Sequence, residues 1–220
     1  MTLDRRPTHV LFDLDGVLLD SERLYTQAAQ EILNPYGKVF DWSLKVNTMG
    51  RDARDGAAWL LAELGVPLGV DEYLERRERR LRDLFRTVQS MPGAPELVSA
   101  LAQRGVPMAV ATSCHRDQYA VKVGGHPWFE TFQATVCGDD PELVRLKPAP
   151  DIFLLAARRL EAAPEDCLVV EDSPAGVAAA RAAGMQVVAV PDPHVPRDRV
   201  ADADLVVAAV SEIDPEMWGL

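Results

Sequence analysis

Two carboxylates, Asp13 and Asp15, stand two residues apart, with the apolar run His9-Val-Leu-Phe12 before them and Gly16 after. A run this short and this apolar reads as a strand buried on both faces, so its C-terminal end delivers both acids into a turn. Putting two acids at the end of a buried strand is costly unless a cation or phosphate chemistry employs them. A calcium loop of the EF-hand type would need Gly where Leu18 stands and Glu where Leu24 stands. An N-capping Asp followed by a turn Gly explains one acid and leaves its neighbour unexplained. Ser113, Cys114 and His115 offer nucleophile types, but no coherent triad partner accompanies them.

The elements that must position these residues follow from hydropathy. Apolar runs recur at Met108–Thr112, Ala134–Cys137, Cys167–Val170 and Gln186–Val190, with a candidate edge strand at Leu205–Val207. Between them lie helical patterns over 93–104, with Pro95 near the start and Gly105 as a stop, and over 174–183, between Ser173 and Gly184. Strand and helix alternate from about residue 91 onward, which predicts an α/β fold with a mostly parallel sheet and ligands bound outside the carboxyl ends of its strands. Residues 20–90 break the rhythm. They offer three helical stretches, near 21–33, 52–64 and 71–88, and no convincing strand, so the chain reads as a core of 1–19 and 91–220 interrupted by a helical insertion. The basic run Glu75–Arg82 lies on a stripe-forming helix with charges of both signs, a solvated face rather than a nucleic-acid surface.

Composition narrows the function classes. With 220 residues, 48% hydrophobic and 26% charged, the chain has ordinary globular values, and a core of that size needs no metal or disulfide staple. Lys plus Arg number 23 against 34 Asp plus Glu, a net charge of -11 that opposes work on nucleic-acid phosphate or anionic lipid. Cys114, Cys137 and Cys167 are far apart and show no metal-ligand spacing, so they read as free thiols in a reducing compartment. No signal-peptide h-region and no apolar stretch of about 18 residues occurs, and the expectation is a cytoplasmic monomer acting on a small molecule.

Phe12-Asp-Leu-Asp-Gly-Val-Leu-Leu-Asp-Ser-Glu22 resembles the first motif of the haloacid dehalogenase (HAD) superfamily of aspartate-nucleophile phosphotransferases. Val110-Ala-Thr112 resembles the second motif, Lys147-Pro148 the third and Val170-Glu-Asp-Ser-Pro-Ala-Gly176 the fourth, in that order and each at a predicted strand end or just before a helix. The resemblance implies a Rossmann-like core with the 20–90 insertion as a helical cap. It implies Asp13 as nucleophile, Asp15 as general acid and base, and Lys147 as charge partner of the phosphoryl group. It also implies Thr112, Ser113 and the amides of Leu14 and Asp15 as phosphate donors. Mg2+ would be held by Asp13, the backbone carbonyl of Asp15, Asp172 and, through water, Glu171. Leu146 occupies the position before the lysine where related sequences commonly carry Gly, so the path of the loop bearing Lys147 is for the structure to decide. Dehalogenases of the superfamily lack the second acid, here Asp15, and hexose-phosphate mutases carry His where this chain has Tyr25. Ser21–Tyr25, Met49-Gly50-Arg51, Gly138–Glu142 and Pro150–Phe153 look like the pseudouridine-5′-phosphatase-like group, which implies hydrolysis of a small sugar or nucleotide monophosphate, with Glu22 and Arg51 as contacts to the leaving group. A mutase and a non-catalytic phosphate-binding protein are the alternatives.

Overall fold

The computed structural model describes residues 6–48 and 53–220. In chain order its elements are β1 (His9–Phe12), α1 (Glu22–Leu33), α2 (Trp42–Thr48), α3 (Ala53–Leu64), α4 (Val70–Phe85), α5 (Ala94–Gln103) and β2 (Met108–Ala111). They continue with α6 (Arg116–Val123), β3 (Ala134–Val136), α7 (Asp151–Arg159), β4 (Cys167–Glu171), α8 (Pro174–Ala182), β5 (Gln186–Ala189), β6 (Leu205–Val206) and α9 (Pro215–Trp218). The six strands form one sheet in the order β3-β2-β1-β4-β5-β6, and every pairing is parallel. This is the parallel α/β sheet that the strand and helix alternation predicts and the Rossmann-like core that the resemblance implies.

The sheet is buried on both faces, which is why its strands are continuous apolar runs. Leu11, Val169 and Val187 share one core with Ile152 and Phe153 of α7 and Val177 of α8. The alternate residues Val10, Phe12, Leu168 and Val170 surround a small cavity with Leu97 and Leu101 of α5 and Trp218 of α9. The period of two thus sorts one strand between two helical layers. Because β1 lies between β2 and β4, the C-terminal ends of these three strands are neighbours, and Asp13, Glu171 and Asp172 sit on that edge.

The chain divides into two compact units, Met1–Asp20 with Gln89–Leu220, and Ser21–Val88. It leaves the first after Asp20, whose N–H donates to the carbonyl of Gln89 (2.9 Å) where the chain returns. The helical unit has its own core, with Leu33 of α1, Leu60 and Leu61 of α3 and Tyr73 of α4. Where the sequence pattern gives three helical stretches, the described residues of this unit hold four α-helices. The additional helix, α2, fully buries none of its side chains, so it shows no apolar stripe. Its start is held by Asp41, whose carboxylate accepts from the Leu44 N–H (3.1 Å) and the Ser43 hydroxyl (2.6 Å). On α4, Tyr73, Leu81, Leu84 and Phe85 are buried, and the basic run pairs within the helix as Arg76–Glu72 (2.5 Å) and Arg79–Glu75 (2.7 Å). No helix among the described residues is long and apolar enough to cross a membrane.

Candidate active site

Asp13 follows the last residue of β1 and extends its ladder, its N–H donating to the carbonyl of Val170 (3.0 Å). Thr112 does the same beyond β2, donating to the carbonyl of Val136 (3.0 Å). Glu171 ends β4, and Asp172 follows it. Strand ends alone therefore fix the backbones of four of the predicted site residues.

Lys147 comes from the loop before α7, and it reaches the same place. Its ammonium donates to Asp13 Oδ1 (2.5 Å), Glu171 Oε1 (2.6 Å) and the carbonyl of Ala111 (3.1 Å), so all three of its N–H groups have acceptors. Leu146 is 48% exposed and turns toward solvent, so a side chain at that position does not divert the lysine. The Lys147-Pro148 peptide bond is cis. Burial works against the charge on Lys147, but the two carboxylates outweigh it and hold the ammonium above its ordinary range.

Glu171 is 1% exposed, and its carboxylate is saturated. Besides Lys147 on Oε1, its Oε2 accepts from the N–H of Asp172 (2.8 Å), the N–H of Ser173 (2.8 Å) and the hydroxyl of Ser173 (3.0 Å). The same hydroxyl caps α8 by accepting from the Gly176 N–H (3.0 Å). Two glycines make room for these acids. A Cβ on Gly176 would run into the Glu171 carboxylate, and one on Gly16 would run into that of Asp172. Gly16 also has φ +84°, a left-handed conformation that side chains disfavour, so both turn and contact require glycine there.

Asp13, Glu171 and Asp172 each place a carboxylate oxygen within 4.8 Å of the others. With Asp15 they make four acids against two buried lysines, Lys147 and Lys122. Burial pushes Asp13 up to about 7, aided by Glu171 and Asp15 and opposed by Lys147. An all-oxygen cluster with excess negative charge is the donor chemistry of a hard divalent cation, and the observed residues fit one.

Lys122 carries no signal in the sequence. It lies on α6 with a fully buried side chain, and its Nζ donates to Asp15 Oδ1 at 2.6 Å. Ser113 follows Thr112 with its side chain exposed, and the Thr112 hydroxyl accepts from the N–H of Cys114 (3.1 Å). Burial pushes the Cys114 thiol up to about 12, so it stays protonated at neutral pH and is no nucleophile. All three cysteines are free.

Of the two residues expected to contact the leaving group, Arg51 lies outside the described residues. Glu22 lines a cavity of about 460 Å3 within the helical unit, where it pairs with Lys45 (3.1 Å). Tyr25, Tyr73 and Arg77 line the same cavity. Its walls are therefore apolar rings and aliphatic groups carrying a few charged and hydroxyl groups, the composition of a small-molecule site.

The family model for haloacid dehalogenase-like hydrolases matches residues 7–184. The chain is 44% identical over 219 residues to "(DL)-glycerol-3-phosphatase 2" of Arabidopsis thaliana, covering 97% of this chain and 91% of that protein. It is 43% identical over 220 residues to "Probable pseudouridine-5'-phosphatase" of Drosophila melanogaster, covering 98% of this chain and 95% of that protein. Among solved structures, a HAD family hydrolase from Deinococcus radiodurans R1 with bound phosphate and sodium superposes with a TM-score of 0.82 at 29% identity, over 97% of this chain and 96% of that one. With its four motifs gathered on one edge of a parallel sheet and relatives matching along nearly its whole length, the chain belongs to the haloacid dehalogenase-like hydrolase family.

Proposed function

We propose that the chain is a Mg2+-dependent phosphatase that hydrolyses a small phosphate monoester, a sugar phosphate or a nucleotide such as pseudouridine monophosphate, through a phosphoryl group carried on Asp13. The observation that carries this reading is the buried Asp13–Lys147–Glu171 cluster at the strand ends, where a carboxylate stands against a fully satisfied ammonium. A carboxylate can attack a phosphate dianion only where nearby cations offset the repulsion between them. Lys147 supplies one such charge. Mg2+, held by Asp13, the backbone carbonyl of Asp15 and Asp172, with Glu171 acting through water, would neutralise charge on the phosphoryl oxygens. The saturation of Glu171 by Lys147 and three donors supports its indirect part.

In the first step an oxygen of Asp13 bonds to phosphorus as the bond to the leaving oxygen breaks, and Asp15 gives its proton to that oxygen. In the second step Asp15 takes a proton from water as the water oxygen bonds to phosphorus, which releases inorganic phosphate and restores the Asp13 carboxylate. The Thr112 hydroxyl, Ser113 and the amides of Leu14 and Asp15 donate to the phosphoryl oxygens throughout. Residues 20–90 act as the cap and select the leaving group, with Glu22 and Arg51 as contacts. Transfer back to a hexose phosphate, the mutase reaction, is disfavoured by Tyr25, since the mutases that the motifs resemble carry His there.

A phosphate-release panel tests this reading, with glycerol 3-phosphate, ribose 5-phosphate, nucleoside monophosphates and pseudouridine 5′-monophosphate, each with Mg2+ and with EDTA. The expected result is release that requires Mg2+ and is lost in Asp13→Asn. Equal rates in EDTA, or turnover by the variant, would overturn it.

A further inference from the structure

We propose that Lys122 is a positioning residue for proton transfer: it anchors the Asp15 carboxylate so that this acid, and no other, meets the leaving oxygen. The inference rests on the reading of Asp15 as general acid and base, and it adds a residue to which none of the four motifs assigns a part.

Three observations carry it. Lys122 is the one fully buried side chain of α6, a helix whose other faces are half-buried or exposed, so its charge has been taken out of water without any apolar stripe to account for it. A buried ammonium is tolerated only where a partner is held against it, and here the Asp15 oxygen lies at 2.6 Å. Such pairs add little to stability compared with apolar side chains of the same size, so packing alone gives no reason for a lysine. The second observation is the division of labour between two buried lysines. Lys147 binds Asp13 and Glu171, whereas Lys122 binds Asp15, so each acid of the Asp13-x-Asp15 pair has its own cation from a different segment. The third is the route of the chain. Lys122 is carried by the helix that follows the end of β2, the same connection that carries Thr112. One stretch of backbone therefore carries both Thr112 and the anchor of the acid.

An anchored carboxylate loses the freedom to swing away from the leaving group, and geometric errors of about 1 Å at a reacting centre cost about 10²-fold in rate. The effect is selective. A leaving alkoxide needs Asp15's proton, whereas p-nitrophenolate leaves without one, so loss of the anchor slows alkyl esters and spares the first step of the aryl ester.

The experiment is a double-mutant cycle of Lys122→Met and Asp15→Asn, with folding followed by circular dichroism. The quantity read is the single-turnover rate of leaving-group release from p-nitrophenyl phosphate and from whichever alkyl ester of the panel is turned over fastest. Lys122→Met is expected to slow the alkyl ester by about 10²-fold and the aryl ester less than about threefold, and to add nothing further in the Asp15→Asn background. Equal losses for both esters, or losses that add fully in the double variant, would overturn the proposal. If Asp15→Asn itself fails to separate the two esters, the reading of Asp15 as the acid falls, which is distinct from the failure of Lys122 alone. If Lys122→Met does not fold, Lys122→Arg decides the matter: it keeps the charge but moves the donor, and a larger loss for the alkyl ester supports the anchor while equal losses refute it.

Discussion

The two units of the chain both carry exposed ion pairs, but they differ in the charge they bury. In the sheet unit, Asp13, Glu171, Lys147 and Lys122 are buried, and each is held by partners fixed on strand ends or on the segments next to them. In the helical unit the ion pairs are largely exposed, as in Arg54–Asp71 and Arg79–Glu75, and the polar groups of its cavity share the lining with aromatic and aliphatic side chains. Buried, interlocked charges cannot adapt without large cost, while exposed pairs contribute little and are easily exchanged. The difference supports the proposed separation of tasks: phosphoryl chemistry in the sheet unit, leaving-group recognition in the helical one.

That separation is sharpest for the proposed nucleophile, Asp13. Asp13→Asn is expected to lower kcat by at least about 10⁴-fold for every ester while leaving the circular dichroism spectrum unchanged, because the amide is nearly isosteric but forms no acyl phosphate. Asp172→Ala should raise the Mg2+ concentration for half-maximal activity by about 10²-fold, read from metal titrations on two chemically different esters. A metal requirement that shifts for one ester only would break the comparison, since it would tie the cluster to substrate choice.

Gly176→Ala probes the interlocking directly. Its methyl collides with the Glu171 carboxylate, so urea unfolding should show a loss of about 1–3 kcal/mol, with reduced activity as Lys147 loses its partner's position. The smallest effect belongs to the helical unit. Glu22→Gln should change KM for the preferred alkyl ester by about three- to tenfold while p-nitrophenyl phosphate is unaffected, as expected of a contact to the leaving group alone. Proportional changes for both esters would place Glu22 with the shared chemistry instead.

Legibility in the sequence follows the same divide. The inner strands of the sheet unit, β2 and β4 above all, are readable as apolar runs because burial on both faces leaves little other composition open to them. Asp13 is readable because it stands directly after such a run with a second acid beside it, whereas Thr112 and Asp172 are singled out by the order of the motifs. The helix α2 is not readable, since none of its residues is fully buried and its start is held by a side-chain cap. Lys122 is hidden for a stronger reason. Hydropathy marks a lysine as surface, so a buried one inverts the signal, and only the fold reveals that α6 turns it toward Asp15. Lys147 shows the opposite case, a lysine that motif order singles out and whose loop path the geometry alone fixes.

The central claim is that Asp13 carries the phosphoryl group. Rapid acid quenching of the protein mixed with a radiolabelled phosphate ester, followed by peptide mapping, tests it most directly. The account predicts a substoichiometric hydroxylamine-labile phosphoryl group in the peptide containing Asp13, rising toward one per chain when Asp15→Asn, whose second step lacks its base, is mixed with labelled p-nitrophenyl phosphate. Label on Ser113 or Cys114, or quantitative release of phosphate with no labelled protein in either form, would contradict it.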